Sequence, residues 1–316
     1  MLPLERWIGL ITYTIRRLLL LLLTLLIATF IIFGAMQLVP GDPILAMFFP
    51  RVPSAEVYAN LERQLGLDRP FIVQYGQYMY RLLLRGDLGE SFKRMRPVVQ
   101  VIAQNLGATG ALALGGVLVS VLIGIPLGVM SAISQRKWVD STIMIIALVG
   151  VSTPSFWLGI LLILVFSLGL GWFPTSGIGG VERLVLPSLT LGLYGAGYLA
   201  RFARSSVLEV KHQDYVTTAR SKGLSETRVN LAHVLRNALI PIVTMSGLLA
   251  GYMLGGAVIV ETVFGRPGLG HVLVSAISQK DFPLVQGILI FIVTIFSLVN
   301  LIVDLSYAYI DPRVKY

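Results

Sequence analysis

The chain has 316 residues, of which 55% are hydrophobic and 13% charged, with a mean hydropathy of +0.81. A water-soluble globular chain carries about 25% charged residues, so this composition excludes that class and points to an all-α integral membrane protein. The net charge of +9 fits Lys and Arg retained on one side of membrane helices rather than a nucleic-acid surface, and zero cysteines exclude disulfides and thiolate metal sites.

Arg6, Arg16 and Arg17 precede a charge-free run from Leu18 to Gly41. The run is longer than a signal-peptide core and no small-x-small cleavage site follows it. A first membrane helix is therefore expected over 18–39, stopped by Pro40-Gly41-Asp42-Pro43.

An extracytoplasmic loop is expected over 40–104. It mixes both charge signs with aromatics, has helix-like apolar spacing at Asn60–Leu65 and Phe71–Leu84, and carries a Gly86-Asp87-Leu88-Gly89 turn. It is too long for a plain connector and reads as a cap or as a docking surface for an outside partner.

A second helix is expected over 106–133, closed by Gln135-Arg136-Lys137. The run Ser141–Val181 could hold one helix or a hairpin folded at Ser152-Thr153-Pro154-Ser155. A hairpin would put the later basic segment outside, so the positive-inside rule favours one helix over 143–168. Further spans are expected over 184–200, 242–260 and 284–303, giving six helices with both termini inside.

Between the fourth and fifth spans lies the polar segment 201–241, whose basic residues are Arg201, Arg204, Lys211, Arg220, Lys222, Arg228 and Arg236. Together with Arg313 and Lys315 at the C-terminus they set the inside face, while the short outside loops carry only Arg183, Arg266 and Lys280. Its pattern is helical with a break near Gly223.

Several chemistries are missing. No HExxH or GxSxG is present and no carboxylate pair lies within an apolar run, so an intramembrane protease has no catalytic set here. The carboxylates nearest the spans, Asp42, Asp140, Glu261 and Asp304, fall at expected helix ends and are expected to reach water. No Gly-Lys pair occurs, hence no phosphate-binding loop; energy for active transport would come from another subunit. Gly247, Gly251 and Gly255 form a stripe suited to helix packing or to lining a pathway, and Pro126 and Pro154 would kink their spans.

Two stretches resemble a known family. Bacterial ABC importer membrane subunits carry an E-A-A-x3-G-x9-I-x-L-P signature; here Thr217-Thr218-Ala219, Gly223 and His233-Val234-Leu235-Arg236 stand in that register. The second alanine, the glycine and the leucine are kept, whereas the glutamate, first alanine, isoleucine and proline are not. The match is closer to the dipeptide/oligopeptide/nickel permease branch, through Asp214-Tyr215, Thr218–Gly223 and His233–Pro241. It extends through Pro40–Pro43, Leu65–Pro70, Gln74-Tyr75, Gly86–Ser91, Glu261–Phe264, Pro267–Gly270 and the terminal Asp311-Pro312-Arg313. Arg266 stands where an aromatic is common, and the long first loop is similar to that of the B-type subunit.

The resemblance implies a six-helix type I ABC importer transmembrane domain in a bacterial inner membrane, one permease of a heterodimer with a C-type partner. It implies two ATP-binding subunits holding ATP and Mg2+, an external solute-binding protein, and neither cofactor nor enzymatic site in this chain. ATPase coupling would fall on Asp214, Tyr215, Thr217, Thr218, Ala219, Arg220, Lys222, Gly223 and Leu224. The implied cargo is a di- or oligopeptide, with glutathione, a nickel chelate or another small solute as alternatives. A stand-alone secondary transporter or channel is the reading from a different class.

Overall fold

The computed structural model describes residues 3–48 and 51–310, with side chains described over 11–48 and 51–306. Arg6 lies outside the described side chains, and Arg313, Lys315 and the Asp311-Pro312-Arg313 match lie outside the described residues. The chain opens with α1 (Pro3–Leu38), then three short helices, α2 (Pro43–Phe48), α3 (Ala55–Leu65) and α4 (Phe71–Arg85). A two-residue hairpin follows, β1 (Glu90–Ser91) paired antiparallel with β2 (Arg96–Pro97). The bundle continues with α5 (Val98–Ile133), α6 (Lys137–Ser152), α7 (Ser155–Gly169), α8 (Glu182–Lys211), α9 (Asp214–Ser221), α10 (Glu226–Val263), α11 (Leu269–Ser278) and α12 (Phe282–Ile310).

Local chemistry sets the loop helices. Ser54 caps α3 by accepting from the Val57 amide, and Gly66 ends it in the left-handed region at φ 69°. Gly86 does the same for α4 at φ 61°. Aromatic side chains then fasten α4 to α1: the Phe30 ring meets Phe71 and Tyr75 edge-on, with centroids 5.5 and 5.3 Å apart. The loop expected over 40–104 is thus a small helical subdomain, and the first turns of α5 belong to it.

Among the described residues four helices, α1, α5, α10 and α12, are long and apolar enough to cross a membrane, and the α6–α7 pair makes a fifth if it is one span. The expected continuous helix over 143–168 is not there: α6 and α7 meet at 103° across Thr153-Pro154. Proline lacks the amide to bond back and excludes helical conformation from the residue before it; Thr153 is extended at ψ 123°. Contacts nevertheless advance one way along α8. Asp140 pairs with Arg204, a Cβ at Gly197 would press on the Ala147 carbonyl, and one at Gly159 would touch Thr190.

The helix α8 is the centre of the bundle, although its expected apolar core, 184–200, is the shortest. It packs against α5, α6, α7 and α10. A Cβ on Gly124 of α5 would lie 2.6 Å from the Ala196 carbonyl, and one on Gly195 would lie 2.5 Å from Met253 of α10. Such contact requires small residues on both sides, which explains the low hydropathy of α8: its buried face is Gly, Ala, Ser and Thr among leucines.

The segment 201–241 is also mostly helix rather than a separate polar insertion. The end of α8 and the start of α10, with a π-wound turn over Val229–Leu235, run through it. Only α9 and its flanking turns stand apart.

Candidate functional site

The basic segment is built from the inside outward. Val216 and Ala219, three residues apart on one face of α9, are buried at 0% and 6% exposure. They join a cluster with Ala132 of α5, Ala203 and Val207 of α8, and Val229, Val234, Ala238 and Ile242 of α10. The opposite face, Asp214, Tyr215, Thr217, Thr218, Ser221 and Lys222, is exposed.

Three devices stop α9 and hold it. Gly223 lies at φ 77°, in the left-handed region. Arg220 pairs with Glu226 at 2.8 Å across the turn, and the Asn237 amide donates to the Tyr215 hydroxyl at 3.0 Å. Leu224 packs under the helix, half-buried against the same cluster. Nearby, Arg204 grips Asp140 with two bonds of 2.6 and 2.7 Å, and Ser131 also donates to that carboxylate. The outcome is a knob of two helical turns rooted in α5, α8 and α10 at once.

The glycine stripe is divided between neighbours. A Cβ at Gly247 would meet Val303 at 2.6 Å and one at Gly251 would meet the Phe296 ring at 3.1 Å, both on α12. Gly255 faces open space, whereas Gly256 abuts Leu191 of α8 at 2.9 Å.

At the other end of the bundle two carboxylates are buried, and one of them, Glu261, corrects the expectation that it reaches water. Glu261 is fully buried, accepting from the Thr109 hydroxyl at 2.6 Å and from the Gly270 and His271 amides at 2.7 and 3.2 Å. It is shielded from bulk solvent. Asp281, also buried, accepts from Ser91 and from the Phe92 and Lys93 amides, and so clamps the hairpin turn to the start of α12. Arg266 is 6% exposed, reaching the Ala108 carbonyl through Nε at 3.4 Å while one terminal nitrogen has no partner among the described residues. Asp140 and Asp304 are ion-paired with Arg204 and Arg17. Among the described residues no group of three His, Asp or Glu could hold a metal ion.

Two family models account for nearly the whole chain. Residues 124–316 match the binding-protein-dependent transport system inner membrane component, and residues 10–113 match the N-terminal region of such membrane components. The chain belongs to this family. It is a multi-pass membrane subunit of an ABC importer, a transport component rather than an enzyme.

This permease is 43% identical over 300 residues to a Brucella abortus protein provisionally named a peptide transport system permease, covering 92% of this chain and 95% of the relative. It is also 43% identical over 306 residues to a glutathione transport system permease protein of Salmonella typhimurium, covering 97% and 99%. Among solved structures, an inward-facing methionine ABC transporter matches with a TM-score of 0.55 at 17% identity, over 67% of this chain and 97% of that one. An amino acid ABC transporter matches at 0.52 and 19% identity, over 68% and 95%. These two show the shared fold of type I importer membrane subunits.

The sequence places Glu261 at a helix end without showing its burial, and Asp281 and the α11 helix carry no expectation there. The motif Glu261–Phe264 and Pro267–Gly270 was a usable signal, because a carboxylate followed by a Gly-x-Gly run is what an amide-lined acidic nest requires.

Proposed function

We propose that this permease forms half of a translocation pathway for di- or oligopeptides, as the B-type subunit beside a C-type partner. Two ATPase subunits, each with its own ATP and Mg2+, drive it, and an extracytoplasmic solute-binding protein delivers cargo. The α9 knob carries the reading. Its exposed face and its Gly223 stop suit insertion into a groove of an ATPase, and its buried face ties that contact to α5, α8 and α10. On this reading Asp214, Tyr215, Thr217, Thr218, Arg220 and Lys222 meet the ATPase, Ala219 and Leu224 root the knob, and the α9 end of the bundle and both termini are cytoplasmic. Both named relatives support a peptide cargo, since glutathione is itself a tripeptide; the Salmonella relative favours glutathione as the specific alternative.

The test is purification with the subunits encoded beside this gene, then measurement of ATPase stimulation by loaded binding protein and of peptide uptake. Gly223→Pro cannot adopt φ 77° and is expected to reduce stimulation to the basal rate. Lys222→Glu reverses an exposed charge and is expected to weaken stimulation while leaving the fold intact. Normal coupling in both variants would place the ATPase contact elsewhere. Uptake without any ATPase subunit would overturn the whole reading.

A further inference from the structure

The break between α6 and α7 sits deep along the bundle. A Cβ at Gly150 would lie 3.4 Å from the Leu193 carbonyl of α8, and Leu193 stands eleven residues from each charged end of that helix, Glu182 and Arg204. At about 1.5 Å per residue that is ~16 Å from either end, the middle of a bilayer core of about 30 Å. Along α6, Thr153 comes thirteen residues after Asp140, which places it ~20 Å from the ion pair with Arg204.

Backbone at that depth is left without partners. Pro154 has no amide to give to the Gly150 carbonyl, and the Val151 and Ser152 carbonyls receive no amide from across the break among the described residues. On the far side the Ser155, Phe156 and Trp157 amides open α7 with no side-chain cap and no backbone acceptor. The neighbouring groups are served: the Val149 carbonyl accepts from the Thr153 amide and hydroxyl, and the Pro154 carbonyl from the Leu158 amide. The Ser152 and Ser155 hydroxyls have no hydrogen bond among the described residues, and Ser152 is exposed. These groups border an open groove of about 390 Å³, flanked by the half-exposed Phe156 and Trp157 rings.

Hydrocarbon offers no hydrogen bond. Irregular backbone at membrane depth survives where protein buries it or where it lines a water-filled space. A covering helix would have to bring acceptors to three adjacent amides and donors to three carbonyls on the other side of the break. Water supplies both, and a groove of this size holds about a dozen molecules at ~30 Å³ each. We infer that the α6–α7 break faces water in the assembled transporter and forms part of the wall of the translocation pathway, near its half-depth. The aqueous part stands on the backbone groups alone; the pathway part rests on the permease function proposed above.

The chain has no cysteine, so Ser152→Cys can report on its own surroundings. The experiment uses the assembled complex in lipid nanodiscs, open to reagent from both faces, without nucleotide and with a non-hydrolysable ATP analogue. The reagent is a charged methanethiosulfonate, which needs a thiolate, and thiolate forms in water but not in hydrocarbon. The complex without an introduced cysteine supplies the background. Ser152→Cys is expected in at least one state to react at least about tenfold faster than Leu26→Cys on the exposed apolar face of α1, the change in thiolate population for one unit of thiol pKa. Labelling no faster than Leu26→Cys in both states would overturn the inference and mean that the partner subunit covers the break. Where Ser152→Cys does not assemble, Trp157→Cys in the same groove gives the same reading. In proteoliposomes the charged adduct on Ser152→Cys is expected to abolish trialanine uptake. Fast labelling with uptake unchanged would retain the aqueous face and overturn the pathway wall. No trialanine uptake by the unlabelled wild-type complex, with labelling still fast, would overturn the peptide cargo and retain the aqueous face.

Discussion

The Asp42 carboxylate accepts from the Ile44 and Leu45 amides through one oxygen and from the Tyr58 hydroxyl through the other. It therefore caps α2, with Pro43 in the first helical position, and ties α2 to α3. Burial alone would raise its pKa, but the Tyr58 hydroxyl and the two amides outweigh burial and hold it below the usual carboxylate value. A depressed carboxylate stabilises the fold fully above its ordinary pKa, and that contribution is lost as pH falls through the depressed value. Asp42→Ala is expected to cost about 1 kcal/mol locally, roughly a fivefold faster amide exchange at 44–46. Asp42→Asn keeps an acceptor for the cap and should fall between the two. Wild-type protection at 44–46, corrected for the intrinsic pH dependence of exchange, should fall as pH drops below 3.8, and a matching fall in Asp42→Asn would show that Asp42 ionisation does not matter. The Pro-Gly-Asp-Pro stop of α1 was legible in the sequence, but the cap on α2 and the Tyr58 partner, 16 positions on, were not. Nor was the burial of Glu261. Its hydroxyl partner, Thr109, is 152 positions away, and a carboxylate at the end of an apolar run looks the same in sequence whether water or a buried amide nest receives it.

Among the elements, α9 and α8 show the same contrast. A short polar helix stopped by glycine is written in the order of residues 214–223, and the structure has α9 over Asp214–Ser221 with Gly223 at φ 77°. The role of α8 depends on which helices surround it, and its hydropathy misleads because protein, not lipid, meets its glycines. The break at Thr153-Pro154 was visible as a proline, but the 103° turn is fixed by packing of α6 and α7 on different levels of α8. Close packing of α5 on α8 is open to a direct test. A side chain at Gly124 would press on the Ala196 carbonyl and on Leu199, whose Cβ lies 2.9 Å from the added atom. Backbone cannot yield as a flexible side chain can, so Gly124→Val is expected to cost about 3 kcal/mol, the upper end of ordinary overpacking. Gly107, on the same helix with nothing within 4 Å of an added Cβ, serves as the comparison. Gly107→Val should change stability by less than about 0.5 kcal/mol, measured by thermal unfolding of the detergent-solubilised chain. Equal losses at both positions would mean that α5 and α8 are not held this closely.

At the scale of the whole molecule, charge is sorted between two ends. The ion pairs Arg17–Asp304, Arg204–Asp140 and Arg220–Glu226 all lie toward the α9 end. The opposite end is held by buried carboxylates on amides and hydroxyls, Glu261 on α11 and Asp281 on the hairpin turn. Lys and Arg near short loops resist translocation, whereas a long loop crosses regardless of its charge, so the proposed orientation puts α9 inside and α3 outside. The absence of cysteine makes this measurable without altering a background residue. Gln64 near the end of α3 and Thr227 in the first turn of α10 are both exposed, and each can be replaced singly by cysteine. With a membrane-impermeant maleimide on intact cells, Gln64→Cys is expected to react and Thr227→Cys to react only after permeabilisation. The reverse pattern would invert the bundle and remove α9 from any cytoplasmic ATPase.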